Sequence, residues 1–204
     1  MKKVVTIFVV SKFITYIVVN KLLTNVPEAC INKIIIPTII DIEASGFGSE
    51  SYPIEVGVVT YLSQRYCRLI KPEQDWQHWS GDAEKLHGIS RDLLHDKGIR
   101  ANQVCSELNE LLLGQTVYSD GWVVDYPWLI KLFYVARIEM KFTLSPLENI
   151  LTEGQMEKWH DTQEVICANS ECQRHRASSD AEMIQNVYMQ TQQYTKSSST
   201  PIQF

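Results

Sequence analysis

The sequence predicts an α/β fold: a mixed five-stranded sheet, three antiparallel strands and then parallel ones, flanked by helices. Three observations carry this reading. Three short strand-like runs, the first of them continuous and β-branched, succeed one another across brief connections between residues 33 and 71, which is the pattern of an antiparallel meander. Beyond them, apolar stripes at helical spacing alternate with short strand-like runs as far as residue 194. Finally, 204 residues with 45% hydrophobic content suffice for one well-buried domain and little more.

Taken in order, Lys33–Ile42 (KIIIPTIIDI) is continuous and β-branched, as in a strand buried on both faces. A polar, glycine-containing turn (ASGFGSESYP) leads to a second strand over Ile54–Leu62, and Arg65–Lys71 makes a third. Val104, Leu108, Leu111 and Leu112 fall at i, i+4, i+7 and i+8, one helical stripe with Gly114 at its natural end. Gln115–Ser119 reads as a fourth strand, and Trp128, Leu129, Leu132 and Phe133 mark a helix whose first turn holds Asp125 and Pro127. A short fifth strand is expected near Phe142–Leu144, followed by helices over Glu153–Asn169 and Ala177–Tyr194. The expected organisation is an N-terminal extension (1–34), one domain (35–194) and a polar tail (195–204), with no internal repeat.

Charge and cysteine content exclude some functions. Nineteen basic against 24 acidic residues leave a net charge of −5, wrong for a protein that grips duplex DNA by bulk positive charge. A nucleic-acid enzyme stays open, because divalent ions on carboxylates reverse the local sign. The cysteines at 30, 67, 105, 167 and 172 are odd in number and form no C-x-x-C pair, so they read as reduced thiols of a cytoplasmic protein. Cys167, Cys172 and His175 are too irregular, and too few, for a zinc site. Residues 4–19 are apolar but divided by Lys12. As a helix they would reach about 24 Å, short of a roughly 30 Å hydrocarbon core, so anchor, signal peptide and non-functional extension all remain open, and membrane association with them.

The informative residues are acids. Asp41 and Glu43 lie two apart at the end of an apolar strand and so project from one face. Two like charges at the edge of a core are unfavourable unless a cation lies between them; the alternative is a solvated strand end. Asp125 opens a helix, where an acid also suits the helix dipole, and Asp120 five residues earlier reads as a turn residue behind it. His175 and Asp180 are five apart at the start of the last helix. On a helix they would diverge, but from a preceding loop His175 can turn toward Asp180; Ser179 with Glu182 offers a capping box as the bland account. His87 and Asp92 repeat the same spacing, so chain order has to separate the two pairs.

Asp-x-Glu on the first strand, Asp at a helix start after the fourth, and His-x₄-Asp at the last helix occur in that order. Together with IIDIEASGFG, PIEVGVV, LHGIS, VYSDGWVVDYPWL and HRASSDA, this resembles the histidine-containing branch of the DEDD 3′–5′ exonucleases, on a ribonuclease H-like fold. The resemblance covers residues 35–194 and is nearest to small bacterial exonuclease-family proteins. It implies that Asp41, Glu43, Asp125 and Asp180 hold two Mg²⁺ or Mn²⁺ ions, with Asp41 bridging them, and that His175 is the general base. It also implies that Ala44, Ser45 and the segment His87-Gly88-Ile89 lie against the substrate, with Glu55 and Asp120 supporting the acids. SDGWVVD departs from the His-Asn-x-x-Phe-Asp pattern of many relatives, which leaves the substrate contacts there open. The implied partner is the 3′ end of single-stranded DNA or RNA, or a short oligonucleotide; a homodimer is also open. Two other readings are an inert binding module on the same fold and a small-nucleotide phosphodiesterase. Trp76, Trp79 and His78 are either base-stacking groups or cover for the core, while Trp122 and Trp128 read as packing.

Overall fold

The computed structural model describes residues 36–169 and 175–196. The chain divides between Ile35 and Ile36, and everything below concerns the second unit. The expected N-terminal extension, most of the polar tail and Cys172 therefore lie outside the described residues.

Five strands form one sheet in the order β3-β2-β1-β4-β5. They are β1 (Ile39–Ala44), β2 (Pro53–Val59), β3 (Arg65–Leu69), β4 (Thr116–Ser119) and β5 (Thr143–Pro146). The first three pair antiparallel, while β4 joins β1 and β5 joins β4 in parallel, as the run of short and then helical connections predicts. Among the described residues six helices accompany them: α1 (Gly81–His87), α2 (Arg91–Lys97), α3 (Ala101–Leu112), α4 (Trp122–Ala136), α5 (Glu153–Asn169) and α6 (Ala177–Thr191).

The strands are shorter than their apolar runs, for local reasons. Pro37 has no N–H to give a ladder, and β1 starts two residues later. β2 stops at Val59 because the Thr60 hydroxyl accepts the Leu62 and Gln64 N–H groups, closing a turn with Ser63 at φ 59°. Leu62, expected in the strand, is 72% exposed at that turn. Ile70 leaves β3 to bridge Ile99. The last helix ends at Thr191 in a 3₁₀ turn (Gln192–Lys196) rather than continuing to Tyr194. Helices α1 and α2 were not foreseen, since seven residues are too few for a periodic stripe. Their signal was punctuation: Ser80 and Ser90 accept from the Ala83 and Leu93 N–H groups, and Gly88 and Gly98 close the helices.

Alternation along β1 sorts the core. Ile40, Ile42 and Ala44 face α3 and α4, in a cluster with Val104, Leu108, Leu129 and Leu132. Ile39 faces the other way, with Val59 under Ala181, Ile184 and Val187 of α6. The pairing Ile39↔Val59, Asp41↔Gly57, Glu43↔Glu55 then runs along this second face beneath the same helix. One face thus passes from apolar to ionic within five residues of β1.

Candidate active site

Three elements converge where that face turns ionic. Asp41 and Glu43 come from β1, Asp125 from the first turn of α4, and His175 and Asp180 from the start of α6; all five line one cleft of about 240 Å³. Ligating atoms of Glu43, His175 and Asp180 lie within 4.8 Å of one another. The other histidine pair behaves differently: His87 ends α1, Asp92 lies in α2, and only His87 reaches the cleft.

His175 stands outside the helix in the left-handed region (φ 64°), which few residues other than glycine enter. That kink lets its backbone N–H donate to Asp180 Oδ2 at 2.7 Å. The anticipated capping box is absent, because Arg176 is the N-cap and Ser179 lies inside the helix. Its place is taken from across the sheet. Glu55, fully buried on β2, accepts from Arg176 Nη2 (2.6 Å) and Nε (3.1 and 3.2 Å), and from the Ala177 N–H (2.9 Å). A carboxylate at a helix N-terminus with a bidentate arginine is a strong fixture. It ties the His175–Asp180 segment to the strand paired with β1.

Gly57 completes that docking. A Cβ there would sit 2.1 Å from the Ala177 carbonyl carbon and the Ser178 nitrogen, so only glycine admits the helix this close. On the opposite side, Asp125 is buried and accepts a short hydrogen bond from the Ser119 hydroxyl at the end of β4.

The acids share one electrostatic problem. Burial, followed by the charges of Asp125, Glu43, Asp180 and Asp120, lifts Asp41 well above the ordinary carboxylate range. Burial and then Asp180 and Glu55 push Glu43 to about 7, although Arg176 opposes this. Asp125 also rises to about 7, mainly through burial, with Asp120 and Glu43 adding to it and the Ser119 hydrogen bond pulling back. Asp120 rises to about 6 through burial, with Asp180 and Glu148 contributing. These are the properties of oxygen donors gathered for a cation, and carboxylates suit hard divalent ions.

The substrate-side expectations divide. Ala44 and His87 line the cleft, joined by Phe47, Leu86 and Trp128. Ser45 is committed to its own turn: its hydroxyl accepts from the Tyr52 N–H (3.1 Å) and pairs with His78 Nδ1 (2.9 Å). Gly88 is the left-handed cap of α1 (φ 67°) and Ile89 is buried in the core. Asp120 lines a neighbouring hollow of about 210 Å³ with Glu148 and Trp159. Trp76 stacks on Tyr52 within the core (4.9 Å between centroids), so it covers the core. Trp79 donates to Glu84 Oε2 at 2.6 Å, and Trp128 to Ser51 Oγ at 2.8 Å.

Arg176, Gly57, Ser119 and Phe47 escaped the sequence reading. For Arg176 the signal was present: a glutamate inside the apolar run PIEVGVV demands a buried partner.

This architecture is the fold of the DEDDh-type 3′–5′ exonucleases. E. coli Exonuclease I in complex with a dA16 oligonucleotide superposes with a TM-score of 0.61 at 12% identity, over 78% of this chain and 41% of that one. Exonuclease I from Methylocaldum szegediense gives 0.60 at 13%, over 78% and 40%. The nuclease domain of 3′hExo, a DEDDh family member bound to rAMP, gives 0.56 at 19%, over 76% of this chain and 90% of that domain. This chain therefore spans about two fifths of the length of the Exonuclease I proteins. No family model matches the sequence, and no curated protein matches it either.

Proposed function

We propose that this protein is a divalent-metal-dependent 3′–5′ exonuclease that releases nucleoside 5′-monophosphates from single-stranded DNA or RNA ends or short oligonucleotides. The observation that carries the reading is the convergence of Asp41, Glu43, Asp125 and Asp180, from three separate elements, on one cleft with an imidazole at hand. Proteins of the same fold support it, one bound to a dA16 oligonucleotide, one to rAMP and one, E. coli Exonuclease I with single-stranded DNA, carrying a zinc ion.

Asp41, Glu43, Asp125 and Asp180 would hold two ions, Mg²⁺ or Mn²⁺. When bound, such ions supply Lewis acidity to the scissile phosphate and its leaving 3′-oxygen. His175 takes the proton of the attacking water, the role to which a positioned imidazole beside the acids is suited. Glu55 and Arg176 hold this histidine's segment in place, and Asp120 adds negative charge behind Asp41. Phe47, Leu86 and Trp128 wall the cleft beside the acids and present apolar surface to a terminal nucleoside. The free thiols Cys67, Cys105 and Cys167 fit a cytoplasmic protein, and no helix among the described residues is long and apolar enough to cross a membrane.

The test is digestion of end-labelled DNA and RNA oligomers with Mn²⁺, with a free or phosphorylated 3′ end, and with a dinucleotide alongside. The reading expects mononucleotide products from free 3′ ends and none with EDTA. Equal digestion of blocked ends would make the protein an endonuclease, and cleavage of the dinucleotide alone would make it a small-nucleotide phosphodiesterase.

A further inference from the structure

Helix α4 is apolar on both of its sides. The inner side packs Trp128, Leu129, Leu132 and Phe133 into the core. Its exposed residues are Val123, Pro127, Ile130 and Tyr134, and none of them carries a charge. Val123 and Tyr134 are 79% and 81% exposed, and Ile130 41%. The helix has two charged residues, and both are engaged elsewhere. Asp125 is buried beside the acids of the cleft, and the Lys131 ammonium donates to the backbone oxygens of Ser49 (2.9 Å) and Ser51. A surface helix ordinarily turns charged or polar groups outward, and one that is apolar all round is normally covered.

The spacing of the exposed residues points to the cover. They are 4, 3 and 4 apart, the a/d interval of a seam packed against another helix. That interval reads the same in both directions along the chain. A two-fold axis passing between Trp128 and Leu129 therefore sets Val123 of one copy opposite Tyr134 of the other, and Pro127 opposite Ile130. Each smaller group meets a larger one, the arrangement that lets facing layers interdigitate. Charge favours a like partner as well. Each chain carries −5, so two copies repel unless they meet through an uncharged face, and the outer side of α4 is such a face. The seam is about 16 Å long. With the stacked pair Trp122–Tyr126 on its flank it would cover about 500 Å² per copy, the low end of specific interfaces and suited to a micromolar dimer.

We propose that α4 is the contact of a two-fold dimer, in which the helices of two copies lie antiparallel along the seam Val123, Pro127, Ile130 and Tyr134. Such pairing does not depend on the nuclease activity.

Sedimentation velocity of the full chain across the micromolar range tests the contact, with Ile130→Glu and Tyr134→Glu beside the wild type. The wild type is expected to pass from monomer to dimer as concentration rises. Either glutamate is expected to raise the dissociation constant by about a hundredfold or more, since the two-fold buries the new charge twice without a partner. Both positions are exposed in the single chain, so the glutamates reach water there and the melting curve should be unchanged. The pairing direction is read by mixing Val123→Cys with Tyr134→Cys and adding a short bis-maleimide, followed by peptide mapping. A link between positions 123 and 134 is expected in the mixture. Neither variant alone should be linked through its new thiol, because the two copies of either position lie about 16 Å apart along the seam. A wild type that stays monomeric, a dimer untouched by both glutamates, or a mixture without the 123–134 link overturns the contact. If the glutamate variants fail to fold, the cross-link alone decides it.

Discussion

Two ends of one sheet face are built from the same strands and covered by the same helix, yet they obey opposite rules. At one end Ile39 and Val59 sit beneath Ala181, Ile184 and Val187, and contact is dry and apolar. At the other, Asp41, Glu43 and Glu55 sit beneath the start of α6, where Arg176, Ala177 and Asp180 meet them. The apolar end secures the helix by burial and is indifferent to pH. The ionic end stores mutual repulsion among its acids, relieved only in part by Arg176. The difference shows which end is there for stability and which is held in place by it.

The comparison breaks hardest at the acids. Asp41→Ala or Asp180→Ala is expected to abolish nuclease turnover while leaving the far-ultraviolet spectrum unchanged, since the apolar end still holds α6. His175→Ala is expected to lower kcat by about 10²–10⁴, the usual yield of a positioned general base, without unfolding the protein. Gly57→Ala lies between the two regimes. Its Cβ would push the Ala177 backbone off the sheet, so both stability (about 1–3 kcal/mol) and activity should fall together. Ile184→Ala is the control: about 2–5 kcal/mol of stability lost in denaturant unfolding, with kcat per folded molecule unchanged. Loss of turnover in folded Ile184→Ala, or full turnover in Asp41→Ala, would merge the two regions and undo the distinction.

The smallest effect is a pH dependence confined to the ionic end. Glu43 and Asp125 titrate near 7 and Asp120 near 6 in the folded protein, against about 4 when unfolded. Raised carboxyl pKa values mean that the folded state holds protons the unfolded chain has released. Their contribution is therefore fully present below about pH 4 and is lost as pH climbs through 6 to 7. Without divalent ions the melting temperature should fall between about pH 5 and pH 8. Mn²⁺ at about a hundred times its dissociation constant should raise it at pH 7.5 by about 5–10 °C, and far less at pH 5.

Much of this was legible in the sequence because it depends on order and alternation. The strand sequence fixed which connections were short, and hence the antiparallel-then-parallel sheet. The i, i+2 spacing of Asp41 and Glu43 put both on one face, and that face proved to be the one under α6. The helix Glu153–Asn169 matches its expected bounds. What stayed hidden depends on partners far apart in sequence. The cap of α6 is Glu55, 122 residues before Ala177, so a local reading found Ser179 and Glu182 instead. The role of Gly57 appears only once a helix lies on it. Ser45 looked like a substrate group by position, yet its hydroxyl closes a turn whose partners, Tyr52 and His78, no local pattern connects.

The central claim is that separated acids form one divalent-cation site. Calorimetric titration of Mn²⁺ into the wild type and into Asp41→Asn, both at pH 7.5, tests it most directly. The account predicts saturable binding to the wild type with release of protons from the raised carboxyls, and loss of that binding in Asp41→Asn. Equal Mn²⁺ affinity in the two proteins, or no binding to the wild type, would contradict it.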